Sequence, residues 1–363
     1  MKILLTTGIY PPDIGGPATF IPELAKKLEL RGDLPTVLSL KPKNFVGAHP
    51  TFPLILVKRS KNRFFRFVKT LALINLKAAS SDRIFANGLY IEAGLAAFIF
   101  RKRAIAKLVG EPIWEKCRNE GLTTQTMSEF QNSDLSLKNR ILKKTYVWAF
   151  NQFQVVYCPS MELVEIFRLW GVRPPIKYIP NGVQINEIGQ TQKIYDLVCV
   201  SRLVKWKNVD QCIRVASKLK LSLLVIGTGP EMQNLKNLSD KISAKSTFIG
   251  DCSSLEVMNY LKASRIYILI SQYEGMSFSL LEAMSAELAV VVSNTPGNLA
   301  VVENGVNGQV VEPDNLLQIA ETVSNLINDP NLCRRQGLAA RGTVLKYYNS
   351  RTRISEVIEL INN

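Results

Sequence analysis

The residues best suited to chemistry sit in SQYEGMSFSLLEAM at 271–284. Two carboxylates, Glu274 and Glu282, stand eight positions apart, and between them Gly275, Met276, Ser277 and Phe278 make a turn from which a helix opens. An apolar run of strand length at 266–270 leads into that turn. Such a junction aims the backbone N–H groups of 275–278 at one point, which makes an anion site. Carboxylates accept hydrogen bonds from hydroxyls, so a pair at this spacing could hold two sugar rings on either side of a phosphate. The competing reading is a helix with ordinary surface glutamates.

Three further strand-to-helix turns carry weaker signals. SRLVKWKN at 201–208 offers Arg202 and Lys207, a planar fork and a point charge that together suit a diphosphate; a solvated basic loop is the alternative. PPDIGGP at 11–17 places Gly15 and Gly16 just before a helix from about Thr19. The missing Cβ atoms would let backbone approach a phosphate, although a tight turn needs glycine too. IGTGPE at 226–231 contains Gly227 and Gly229, which fit either a phosphate turn or a structural one.

The elements that position these turns read as strand, helix, strand, in two successive series. Apolar runs at 3–7, 36–40, 54–57, 83–86, 105–109 and 155–158 alternate with helical stretches such as 19–31 and 135–150. A second series runs through 196–200, 221–226, 247–249, 266–270 and 289–292, and 351–361 reads as a final amphipathic helix. The pattern implies two α/β domains, each a doubly wound parallel sheet covered on both faces. The expected boundaries are 1–184, 185–345 and a terminal helix at 346–363 that packs back on the first domain. Ligands of open parallel sheets sit beyond the carboxyl ends of the strands, and all four turns fall there.

Composition narrows the class. The chain of 363 residues is 47% hydrophobic and 21% charged, the balance of a folded protein with room for two cores. The six cysteines are scattered with neither CxxC pairs nor finger spacing to the single histidine, His49, and are expected as reduced core thiols, with no metal site. The first residues read as a strand rather than a secretory signal. The longest apolar stretch, 89–100, is too short to span a bilayer and carries Glu92. A cytoplasmic location is therefore expected.

Several of these segments match motifs of one family. SRLVKWKNVD resembles the Arg-x4-Lys phosphate motif of the GT-B glycosyltransferases of family 4, GTGPE their GxGPE turn, PNGV their inter-domain segment, and EGMSFSLLEAM their E-x7-E signature. NGVNGQVVEPDN at 304–315 is similar to a late segment of the same family. The resemblance covers nearly the whole chain. It implies a GT-B fold and transfer of a sugar, with retention of anomeric configuration, from a UDP- or GDP-sugar to a glycan or lipid-linked hydroxyl. No cofactor or metal is implied.

Carried over residue by residue, the resemblance assigns Arg202 and Lys207 to the donor diphosphate and Glu282 to the ribose hydroxyls. Glu274 and the backbone of Gly275, Met276, Ser277 and Phe278 would hold the transferred sugar. Gly15, Gly16 and Gly227 would approach the donor, and the leaving diphosphate would help deprotonate the acceptor. The chain also departs from the pattern. A histidine usual after the strand at 105–109 is absent, and Gly110, Glu111 and Pro112 stand there. Glu111 could serve as the acceptor-side base or as a structural cap. The family's Pro-Glu is Leu299 and Ala300, and a usual glycine is Glu287.

Net charge is +15, and residues 1–185 hold 27 Lys and Arg against 13 Asp and Glu. The segment 57–77 interleaves Lys58, Arg59, Lys61 and Arg63 with Phe64 and Phe65, on what reads as a helix, a composition suited to an anionic membrane surface. The alternative is that the phenylalanines enter the core. A nucleotide-sugar 2-epimerase on the same fold and a catalytically weak partner subunit remain competing functions. A nucleic-acid binder is disfavoured because helix-turn-helix, finger and RNA-binding sheet motifs are missing.

Overall fold

The computed structural model describes residues 1–13, 15–42, 50–60, 62–185, 187, 189 and 191–363, with Arg63 as backbone only. His49 and Lys61, both singled out above, lie outside the described residues. The chain divides into two compact units, Met1–Pro180 with Ile354–Asn363, and Asn181–Arg353.

The first unit runs β1 (Lys2–Thr7), α1 (Gly16–Leu30), β2 (Leu34–Leu40), β3 (Leu54–Val57), α2 (Arg63–Ala79), β4 (Arg83–Asn87), α3 (Tyr90–Phe100) and β5 (Arg103–Lys107). It continues with α4 (Pro112–Asn119), α5 (Met127–Phe130), α6 (Leu137–Phe150), β6 (Val155–Cys158), α7 (Met161–Leu169) and β7 (Ile176–Tyr178). Its strands pair in parallel in the order β3-β2-β1-β4-β5-β6-β7.

The second unit holds β8 (Tyr195–Val200), α8 (Val209–Leu219), β9 (Leu223–Ile226), α9 (Met232–Lys241), β10 (Ser246–Gly250), α10 (Ser254–Lys262) and β11 (Ser264–Leu269). Then follow α11 (Phe278–Ser285), β12 (Ala289–Ser293), α12 (Pro296–Leu299), β13 (Gln309–Val311), α13 (Leu316–Asn328), α14 (Pro330–Tyr347) and α15 (Ser350–Asn362), the last of which ends in the first unit. Its parallel order is β10-β9-β8-β11-β12-β13.

Alternation along the strands explains why helices cover both faces of the second sheet. Val198, Tyr267, Leu269, Val290 and Val292 face one core, with Leu280, Leu281 and Val344. Their neighbours Leu197, Cys199, Ile266, Ile268 and Val291 face the other, with Ile213 and Ile319. Strands apolar at every position can be satisfied only by a sheet buried on both sides. In both units the strand order reverses beside the first strand, between β1 and β4 and between β8 and β11, the kind of point where open parallel sheets bind ligands.

Three expectations need correction. β5 ends at Lys107 rather than at 109. The apolar Leu108 and Val109 prolong the strand pattern only in sequence. Residues 57–77 are not one helix: β3 ends at Val57, and α2 begins at Arg63 because the Asn62 side chain accepts the N–H groups of Phe64 and Phe65. Only four cysteines are core thiols, since Cys252 and Cys333 are half-buried. Phe64 and Phe65 are 73% and 72% exposed, which excludes the alternative that they enter the core.

Candidate active site

The switch point of the second sheet gathers the charged residues of two loops. After β8 the chain passes Arg202, makes a 3-10 turn over Lys205–Lys207 and enters α8 through Asn208 in the left-handed region, φ 47°. Asparagine tolerates that conformation better than most residues. After β11 it passes Ser271 and Glu274 and enters α11 at Ser277, whose hydroxyl accepts the N–H of Leu280. That cap is worth about 1 kcal/mol and fixes where the first-turn amides point.

Hydrogen bonds lace the two loops together. Gln272 N–H donates to the Trp206 carbonyl at 2.8 Å, and the Ser279 hydroxyl donates to the Val200 carbonyl at 2.9 Å. Between them Lys207 Nζ meets Glu274 Oε1 at 2.5 Å, and Ser271 donates to the same oxygen at 2.7 Å. Glu274 is 5% exposed, so the lysine beside it supplies the counter-charge that a buried carboxylate needs. Both contacts fall on Oε1, and no described residue bonds Oε2. The exposed Arg202 guanidinium lies 5.4 Å from the Trp206 ring centroid, a cation–π contact that orients its fork.

Glu282, the fifth residue of α11, is half-buried, and its carboxylate has no ion-pair or hydrogen-bond partner among the described residues. Burial pushes its carboxyl up to about 7. A group left so poorly solvated and unpaired costs stability, which is characteristic of a ligand-binding position.

Residues that single-motif reading passes over build this arrangement. Asn181 donates its side-chain amide to the Met276 carbonyl at 3.1 Å and its backbone N–H to the Met276 sulfur, tying PNGV to the 275–278 turn. A Cβ on Gly297 would lie 2.1 Å from the Glu274 carbonyl oxygen, so the α12 loop packs backbone to backbone under the carboxylate loop. Ser293 reinforces that support by donating to the Ser271 carbonyl at 2.5 Å.

Other candidates read differently in three dimensions. Gly227 donates its N–H to Gly250 O at 2.7 Å, which corrects the expectation that it cradles a phosphate. A Cβ there would meet Ser201 O at 2.0 Å, and one on Gly229 would meet Leu203 O at 2.1 Å. These glycines set the Arg202 loop by close backbone packing. Glu287 replaces a customary glycine yet sits at φ 61°, the conformation glycine favours.

Gly15, Gly16 and Glu111 belong to the first unit. Gly15 caps α1 at φ 148°, and a Cβ there would reach Ile9 Cδ1 at 2.8 Å. Gly16 is the first residue of α1. Glu111 is 0% exposed, and its two oxygens accept the N–H groups of Ile113 and Trp114. Of its two expected roles the geometry supports the cap, because each carboxylate oxygen is engaged by a backbone N–H of α4. Burial raises its carboxyl to about 7.

Two parallel α/β sheets, the second with a charged loop cluster at its switch point, define the class by fold, and the comparisons give the family. Two family models run end to end along the chain, "Glycosyltransferase Family 4" over residues 14–187 and "Glycosyl transferases group 1" over 183–343. The chain belongs to the GT-B glycosyltransferases of family 4. An uncharacterized glycosyltransferase of Methanocaldococcus jannaschii is 26% identical over 98% of this chain and 97% of its own. N-acetyl-alpha-D-glucosaminyl L-malate synthase of Bacillus anthracis is 24% identical over 98% and 96%. Among solved structures, Anabaena HepE in complex with UDP and glucose is similar at TM-score 0.80 and 19% identity, covering 100% of this chain and 99% of that one.

Proposed function

We propose that this glycosyltransferase takes a hexose-type sugar from a UDP- or GDP-sugar and transfers it with retention to a hydroxyl of a glycan or lipid-linked acceptor. The observation that carries the reading is the bonded Lys207–Glu274 pair in the loop before α11, with Glu282 in α11 lacking a partner among the described residues. A donor diphosphate meets Lys207 and Arg202, the ribose diol donates to Glu282, and the transferred sugar donates to Glu274 Oε2 and lies over the amides of Gly275 to Phe278. Gly15 and Gly16 keep the phosphate role that the head of α1 supports. As the glycosidic bond breaks, negative charge grows on the leaving diphosphate. Fixed cations and amide dipoles stabilise it without reorganising. With Glu111 engaged as a cap, the leaving phosphate itself accepts the acceptor's proton.

The acceptor side of this reading is an anionic membrane surface. Among the described residues no helix is long and apolar enough to cross a bilayer. The exposed Phe64, Phe65 and Val68 share the start of α2 with the exposed Lys69, and the exposed Lys58 precedes them. Arg59 contributes less than its charge implies, since it pairs with Asp13. A thermal-shift screen against UDP-, GDP- and ADP-sugars tests the donor assignment, since a ligand that binds the folded state raises the melting temperature by mass action. Stabilisation by a UDP- or GDP-sugar, lost in Glu282→Ala, is expected; a flat response to every nucleotide sugar would contradict it.

A further inference from the structure

The amino-terminal edge of the second sheet carries a second concentration of charge. An open cavity of about 870 Å³ is lined there by Lys193, Lys262, Arg265 and Arg334, with Glu287 and Cys333. Lys193 precedes β8, Arg265 opens β11, Glu287 precedes β12, and Arg334 lies in the second turn of α14. Arg202 and Glu274 follow the opposite ends of β8 and β11. A six-residue strand separates the two edges, and at about 3.3 Å per residue that is roughly 20 Å.

Two of the carboxylates near the cavity are matched by cations, and a third, Asp329, accepts the Leu332 N–H at the head of α14. Asp196 faces Arg265 at 3.6 Å, and Glu287 faces Arg341 at 3.5 Å. Lys193, Lys262 and Arg334 have no carboxylate within ion-pair distance among the described residues. The two lysines instead donate to backbone carbonyls: Lys193 to those of Lys262 and Ser264 at 2.9 and 2.7 Å, and Lys262 to that of Glu187 at 2.8 Å. Their ammonium groups are thus fixed in place without being neutralised. Burial pulls the Lys193 amine below its usual range. Residues 186–363 as a whole are nearly balanced, 18 Lys and Arg against 17 Asp and Glu, so this local excess is not a reflection of a basic unit. Ala286, Ile327 and Pro330 give the cavity an apolar wall.

We propose that this cavity is a second anion site, separate from the donor site, that takes a small phosphorylated molecule, its phosphoryl oxygens on Lys193, Lys262 and Arg334 and its body against Ile327 and Pro330. The volume exceeds what a single phosphate fills, and the mixture of cations and apolar wall matches a phosphate ester better than a bare ion. Binding weakens as salt rises, because Arg334 and Arg265 are exposed.

Isothermal titration of the full-length protein with inorganic pyrophosphate tests the proposal. Two binding events are expected in the wild type. Arg202→Ala/Lys207→Ala removes one and leaves the second. Lys262→Ala/Arg334→Glu removes the other, and Arg334→Glu alone, at an exposed position where folding is not at stake, weakens it about tenfold or more. Pyrophosphate at the second site also slows alkylation of Cys333, read by mass spectrometry in the Arg202→Ala/Lys207→Ala protein. Loss of all binding in that donor-site variant, two undiminished events in Lys262→Ala/Arg334→Glu, or unprotected Cys333 would overturn the proposal while leaving the donor site intact.

Discussion

Replacing Glu282 by glutamine should make the protein more stable and a worse donor binder at once. The carboxyl of Glu282 lies at about 7 in the folded chain against an ordinary 4.5, with burial as the cause. Because the folded state holds the proton more tightly than the unfolded chain, stability falls as pH rises from 4.5 to 7 and is flat beyond. The full penalty above pH 7 is about 3 kcal/mol, an upper bound for a half-buried side chain, and about 2 kcal/mol of it develops between pH 5.5 and pH 8. Glu282→Gln cannot ionise and escapes this penalty. Urea unfolding of both proteins at the two pH values should show the variant gaining on the wild type by up to about 2 kcal/mol more at pH 8. Its affinity for the donor should fall about tenfold, because a charge-assisted hydrogen bond to the ribose becomes a neutral one. An advantage for the variant that is equal at both pH values would refute the idea that Glu282 is a desolvated, unpaired carboxylate.

Gly297→Ala would force the Glu274 backbone aside, since its Cβ would sit 2.1 Å from the Glu274 carbonyl oxygen; displacement of about 1 Å costs on the order of a hundredfold in turnover, measured as kcat with the best donor from the thermal-shift screen. Glu111→Ala removes the α4 cap and should lower stability by about 1–2 kcal/mol in urea unfolding. Glu111→Gln, which keeps a capping oxygen, should retain activity, and a large loss of kcat there would restore Glu111 as the acceptor base. Phe64→Asp/Phe65→Asp should leave the melting temperature within a degree or two, because both rings are exposed, yet abolish flotation with anionic vesicles. Lys58→Gln alone should weaken flotation by roughly fivefold, given about 1 kcal/mol per cation near such a surface.

Much of the frame was readable because a parallel sheet buried on both faces writes itself as apolar runs. Leu54–Val57 and Val155–Cys158 appear where the pattern puts them. β7 and β13, three residues each at the sheet edges, are too short and too polar to stand out as IKY and QVV. The start of α2 depends on one capping asparagine, Asn62, within a run of cations whose composition already reads as helix. Local motifs carried the proposed donor loops, since Arg202, Lys207, Glu274 and Ser277 all lie within eight residues of a strand end. What supports those loops is remote in sequence: Asn181 is 95 residues from Met276, and Gly297 reaches the Glu274 carbonyl from another strand's loop. The roles of Gly227 and Glu111 were ambiguous for a related reason, because a turn glycine and a phosphate glycine, or a cap and a base, differ only in what their polar atoms meet.

Lys207 and Glu274 are proposed as the donor site of a working glycosyltransferase. The most direct test of that assignment is the rate at which purified protein cleaves a UDP- or GDP-sugar, with and without acceptor, in the wild type, Lys207→Ala and Glu274→Ala. Turnover by the wild type is expected, with a loss of about a hundredfold or more in each variant, as when a group that stabilises the transition state is removed. Unchanged rates in both variants would contradict it.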